Sequence, residues 1–238
     1  MYILIAAAVI PALVLLVRIY KLDRLEPEPP RLLFTLVGLG VISTSLASLS
    51  EQLGDFVLAF FVPEQSRLYS ILLYFGVVAF SEEGAKYVLL KRRTWRSPEF
   101  NCQFDGVVYG VFVSLGFALW ENIGYVAMFG LSTAAVRAVT AIPGHACFGV
   151  FMGVWYGMAK RREGAGDAAG SKRMRVRALL IPALLHGFYD FVASRESAAG
   201  SLVFIVFVIL MFVTAYRLVR HVSDNDSYIQ SYRFGFWG

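Results

Sequence analysis

Ionisable residues that could do chemistry together fall into four short groups, each inside an otherwise apolar stretch. The first is Phe80-Ser81-Glu82-Glu83-Gly84-Ala85-Lys86-Tyr87. The second runs from Phe117 through Trp120-Glu121-Asn122 to Tyr125. The third is Pro143-Gly144-His145-Ala146-Cys147-Phe148-Gly149, and the fourth is His186-Gly187-Phe188-Tyr189-Asp190. Glu82 and Lys86, Glu121 and Tyr125, and His186 and Asp190 are each four residues apart, so each pair shares a helix face. Two adjacent glutamates with one lysine leave a surplus negative charge that needs a proton, a metal or another partner. Two imidazoles and a carboxylate are a familiar ligand set for a catalytic zinc that keeps a water position open. Such a metal lowers the pKa of its water to about 7, and a nearby glutamate can take the proton. This is chemistry for hydrolysing peptide bonds. Without a metal, Glu82 could activate water directly and His186 stabilise the oxyanion. No His-Glu-x-x-His or Gly-x-Ser-x-Gly motif is present, which argues against the common zinc-protease helix and the serine nucleophile elbow.

The stretches that carry these groups are long enough to cross a bilayer. Hydrophobic residues make up 58% of the 238 and charged residues 16%, with a mean hydropathy of +0.62. That composition excludes a disordered chain, a disulfide scaffold and an ordinary cytosolic enzyme. It predicts an all-α, polytopic transmembrane helical bundle. A span needs roughly 20 mostly apolar residues, and seven stretches qualify: 2–20, 32–53, 68–90, 104–128, 134–159, 177–194 and 201–219. The first is read as an uncleaved helix, because its basic residues follow it. Residues 55–62 are too short to span and are expected to lie at the interface or re-enter. The whole chain, 1–238, reads as one integral membrane domain. Spans 3–6, within 68–194, form a four-helix catalytic core, with a basic cytoplasmic loop at 160–176 and a cytoplasmic tail at 220–238.

Eighteen of the 22 lysines and arginines fall on one side of this arrangement. The positive-inside rule then places the N-terminus outside and the C-terminus in the cytoplasm. The net charge of +5 is therefore a topology signal, and no nucleic-acid role follows from it. Counted at about 1.5 Å per residue, Glu82, Glu121, His145 and His186 lie roughly 10–20 Å from the outer ends of their spans. They can meet in the outer half or middle of the bilayer. Gly84, Gly116, Gly144, Gly149 and Gly187 are expected to let the helices approach. Cys102 and Cys147 read as free thiols.

In order on successive spans, Glu82-Glu83-x-x-Lys86, Phe117-x-x-x-Glu121-Asn122, His145-x-x-Phe148-Gly149 and His186-x-x-x-Asp190 resemble the PrsW family of intramembrane proteases. That family belongs to the CAAX-protease and bacteriocin-processing superfamily. The resemblance implies a bacterial plasma-membrane endopeptidase that cuts a single-span anti-sigma factor at an extracytoplasmic position and starts a stress response. It implies that Glu82, Glu83, His145 and His186 are essential. CAAX prenyl proteases usually carry a histidine where this chain has Glu121, so their prenyl-protein substrates do not transfer. Their glutamate mechanism without metal keeps that chemistry open here.

The resulting expectation is a metalloprotease with Glu82 as general base and Glu121, His145 and His186 as zinc ligands. Asp190 would orient His186 or complete the ligand set, and Glu83 would pair with Lys86. Asn122 and Tyr125 would support the site from behind. The alternatives are a proton- or cation-coupled transporter, since buried Glu, His and Asp also build proton relays, and a non-enzymatic membrane protein on the same fold.

Overall fold

The computed structural model describes residues 2–229, so the end of the expected cytoplasmic tail, 230–238, lies outside the described residues. Nine α-helices are found there: α1 Tyr2–Tyr20, α2 Pro30–Phe61, α3 Arg67–Ile71, α4 Ala79–Thr94, α5 Asp105–Phe129, α6 Leu131–Val139, α7 Ala141–Gly164, α8 Ala168–Ala193 and α9 Ala198–Asp224. A π-helical segment, Leu72–Val78, joins α3 to α4. Five stretches are long and apolar enough to cross a membrane: Pro30–Phe61, Asp105–Phe129, Leu131–Gly164, Ala168–Ala193 and Ala198–Asp224. The other two expected spans fall on α1, whose apolar part is Ile5–Tyr20, and on the α3–α4 run, which carries the Glu-Glu-Lys charges. The protein is an all-α, multi-pass membrane bundle.

Local chemistry sets most boundaries. Proline at the first position of α2 has no N–H to leave unpaired and a φ already suited to a helix. Nothing interrupts that helix until Pro63, so residues 55–61 continue α2 instead of forming a separate interfacial segment. Tyr69 donates to Asp55 Oδ1 at 2.5 Å and ties the end of α2 to the start of α3. The fifth expected span is divided at Thr140, and Pro143 sits in the first turn of α7, where its missing N–H costs nothing. The expected basic loop at 160–176 is almost wholly helical. Asp167 caps α8 by accepting from Gly170 N at 2.7 Å, leaving only residues 165–167 between α7 and α8.

Helix α5 is the axis of the bundle, and sixteen of its 25 residues are buried. It crosses α7 along a glycine seam. A Cβ added at Gly110 would lie 2.5 Å from the Gly149 carbonyl oxygen, and one at Gly149 would lie 2.7 Å from that of Gly110. Gly106, Gly153 and Gly157 extend the seam toward the start of α5. Gly116 meets the backbone of α2 at Val37, and Gly187 meets Phe75 in the π-helical segment. Gly84, expected to serve the same purpose, faces open space.

Candidate active site

All four sequence groups converge on one buried point. Glu82, Glu83, Lys86, Asn122, His145 and His186 are each under 9% exposed. Lys86 Nζ is the hub. It donates to Glu82 Oε2 at 3.1 Å and Glu83 Oε1 at 2.8 Å, and lies 3.3 Å from His145 Nδ1 and 3.8 Å from the Phe117 ring centroid. Glutamates three and four residues before a lysine both reach its ammonium along one helix face, which is why adjacent residues share a partner. The π-helical segment one turn earlier has no signature in the sequence. Its wider turn changes the rotation of α4 relative to α3, and it packs on α8 through Phe75 and Gly187.

Each histidine is held between carboxylates or cations. His145 turns Nδ1 toward Lys86 and Nε2 toward Glu121 Oε2, 3.0 Å away. His186 places Nδ1 3.0 Å from Glu83 Oε1 and Nε2 3.3 Å from Asp190 Oδ2. Phe148 stacks on the His186 ring at 4.6 Å between centroids, and the two imidazoles lie 5.4 Å apart. Glu121 also accepts from Arg137 at 2.7 Å. Arg137 Nε donates to Asn122 Oδ1 at 2.9 Å, and Asn122 in turn donates to the Ala8 carbonyl of α1 at 2.9 Å. Tyr125 lies under the Arg137 guanidinium, 3.9 Å from it.

The expected ligand set was Glu121, His145, His186 and Asp190. Of these, His145 lies in a group with Glu82 and Glu83 whose donor atoms are all within 4.8 Å of one another. Glu121 and Asp190 sit behind the histidines, on the nitrogens that face away from this group. Carboxylates commonly hold metal-binding histidines in this way. Two carboxylate oxygens and an imidazole nitrogen are suitable donors for a divalent cation. Among the described residues Glu83 Oε2 is buried without a hydrogen-bond partner, which also fits a cation there. Lys86 now occupies the focus of the same three residues.

A cleft of about 580 Å³ opens onto the site between α2 and α5. Thr44, Ser48, Glu51 and Gln52 form its α2 wall, Phe117, Trp120, Glu121 and Tyr125 its α5 wall, and Glu82 borders it. Glu83 is fully buried behind. Sequence reasoning missed the α2 wall, although Thr44, Ser48, Glu51 and Gln52 recur at helical spacing on one face. It also missed Arg137, which lies outside the four groups of ionisable residues.

A helical membrane bundle with an acid–histidine–lysine centre and a polar cleft leading to it is equipped to bring water to a bond inside the bilayer. The family model described as "PrsW family intramembrane metalloprotease" matches residues 28–216. Proteins named Protease PrsW are similar along most of the chain. That of Oceanobacillus iheyensis is 32% identical over 223 residues, 93% of this chain and 97% of the relative. The Bacillus subtilis protein is 32% identical over 199 residues, covering 83% and 85%. The Clostridioides difficile protein is 32% identical over 225 residues, covering 92% and 91%. No solved structure matches. The chain belongs to the PrsW family of intramembrane proteases, and that membership selects the protease reading over the transporter.

Proposed function

We propose that the protein cuts a single-span membrane protein, an anti-sigma factor, at an extracytoplasmic position with water activated by Glu82. The observation that carries this reading is the cleft. Of the two adjacent glutamates, only Glu82 borders it. The basic stretches Lys91–Arg96 and Lys160–Arg162 lie at the ends of α4 and α7 away from the site. With basic residues inside, the site falls in the outer half of the bilayer, where an extracytoplasmic cut would be made.

In this reading Glu82 takes a proton from water as the water oxygen bonds to the scissile carbonyl carbon. The same proton then passes to the leaving nitrogen as the C–N bond breaks. Both nitrogens of His186 face carboxylates, so this histidine orients Glu83 and Asp190 rather than meeting the oxyanion. Lys86, 3.1 Å from Glu82, is the positive charge placed to oppose the developing negative one. Glu121, locked by Arg137, fixes the ring of His145.

Glu82, Glu83 and His145 are the residues that would hold a zinc ion, and such an ion would supply Lewis acidity and a more acidic water. The position of the Lys86 ammonium on the same three residues favours a second reading, in which glutamate activates water without metal.

Glu82→Gln, co-expressed with a single-span substrate, is expected to abolish the shortened product by a factor of about 10²–10⁴. Its accumulation in the membrane should be unchanged. Undiminished cleavage by that variant overturns the assignment of the base. Mass spectrometry of the purified protein against His145→Ala separates the metal-dependent and metal-free forms.

A further inference from the structure

A second set of buried acids lies at the other end of the bundle, away from the cleft. The linker before α2 supplies Asp23 and Glu28, each 3% exposed. The start of α5 supplies Asp105 at 1%, the loop before it Cys102 at 1%, and the segment after α9 supplies Asp226. Donor atoms of Cys102, Asp105 and Asp226 lie within 4.8 Å of one another. The charges of Asp23 and Glu28 act on both Asp105 and its surroundings.

Hydrogen bonds account for one oxygen on each of Asp23, Glu28 and Asp105, and partly buried Asp226 also accepts from backbone amides. Asp105 Oδ2 accepts from the Asn101 and Cys102 amides at 2.9 and 2.7 Å. Asp23 Oδ2 accepts from Glu28 N at 3.3 Å, and Glu28 Oε1 accepts from the Tyr109 hydroxyl at 2.6 Å. Asp226 Oδ1 accepts from Phe104 N at 2.9 Å. Among the described residues, Asp23 Oδ1, Glu28 Oε2 and Asp105 Oδ1 are buried without a hydrogen-bond partner. Among the described residues no lysine, arginine or histidine forms an ion pair with any of these acids, although the same end of the molecule is rich in basic residues. Burial pushes the Glu28 carboxyl up to about 8 and that of Asp23 up to about 6. Unpaired buried carboxylates cost several kcal/mol unless a proton or a cation neutralises them.

We propose that Cys102, Asp105 and Asp226, with Asp23 and Glu28 beside them, form a divalent-cation site separate from the catalytic centre. A thiolate among carboxylates favours a zinc-like ion over magnesium or calcium, which prefer oxygen alone. The Cys102 thiol gives up its proton to solvent when the ion binds. The bound ion joins the α1–α2 linker, the loop before α5 and the end of α9. An isolated β-bridge between Cys102 and Tyr228 already brings the last two together.

The test uses the full-length protein in detergent, stripped of metal and titrated with Co²⁺ as a coloured substitute for Zn²⁺. Wild type should develop a saturable thiolate-to-cobalt charge-transfer absorption that added Zn²⁺ removes. Cys102→Ser should lose it, while His145→Ala and Cys147→Ser should keep it. The active-site donors include no sulfur, so the band reports this site alone. Because the chain has two cysteines, retention in Cys147→Ser assigns the thiolate to Cys102 whether or not Cys102→Ser folds. Absence of the band from wild type at saturating Co²⁺, its loss in Cys147→Ser or its survival in Cys102→Ser overturns the proposal.

Discussion

The fold treats its two buried acid clusters in opposite ways. In the proposed catalytic centre every carboxylate has a basic neighbour. Lys86 serves Glu82 and Glu83, Arg137 and His145 serve Glu121, and His186 serves Glu83 and Asp190. At the opposite end Asp23, Glu28 and Asp105 form no ion pair among the described residues, and each keeps a buried oxygen without a donor there. A covalently supplied cation makes the first cluster a permanent part of the fold. The second needs its counter-charge from solution, so its stability should depend on what the solution contains. The clusters thus differ in whether the neutralising charge is encoded by the chain.

The largest effect should come from removing the encoded cation. Lys86→Ala leaves two buried glutamates facing each other, and loss of one partner of a buried pair costs about 3–5 kcal/mol. That is a large share of a typical stability of roughly 5–15 kcal/mol. The variant should accumulate poorly and melt well below wild type in detergent. A melting temperature close to wild type would mean that protons, not Lys86, neutralise the pair. The corresponding change at the other cluster is removal of the cation itself. Chelation should lower the wild-type melting temperature by the equivalent of about 3–4 kcal/mol if the ion is present at about 100–1,000 times its Kd. Asp105→Asn should already be lowered and respond little to chelator. Equal responses from the two proteins would remove the contrast between the clusters.

The two clusters were unequally legible in the sequence. Glu82, Glu121, His145 and His186 stood out because each is an ionisable residue inside an apolar run, where charge is costly. Their convergence followed from helix spacing and similar depth. The pairings did not follow, because Arg137 lies on short α6 and reads as a charge outside the membrane until the turn at Gly130 lays that helix beside the end of α5. The second cluster was invisible for a different reason. Asp23, Glu28, Cys102, Asp105 and Asp226 come from segments that read as loops or span ends, where a single acid is unremarkable. Only the tertiary fold brings position 226 to positions 102 and 105. The all-α bundle was legible from apolar length, with five of the expected spans on helices long and apolar enough to cross a membrane, but the extension of α2 and the π-helical segment were not, since neither is marked by a residue type.

Smaller effects should separate the residues that hold the catalytic centre from those at its edge. Arg137→Gln keeps Glu121 but withdraws the guanidinium that fixes it. Loss of such outer support typically costs about 10–100-fold in activity or metal affinity. The decline should appear in kcat, with membrane accumulation near wild type. An unchanged kcat would show that His145 needs no help from Arg137.

Glu51 offers the smallest and most specific effect. It lines the cleft with Glu82 and Glu121, is half-buried, and forms no ion pair among the described residues. Unlike the acids at the far end, it faces space that a substrate can enter, so its counter-charge can arrive with the substrate. A lysine or arginine near the scissile bond would pair with it at a partly exposed position, worth up to about 1 kcal/mol. Glu51→Gln should therefore raise KM up to about fivefold for substrates with a basic residue there and leave kcat unchanged. Substrates in which that residue is replaced by glutamine should not distinguish the variant from wild type. A fall in kcat for both substrates would move Glu51 from the cleft wall into the reaction itself, making it a fourth glutamate of the catalytic centre.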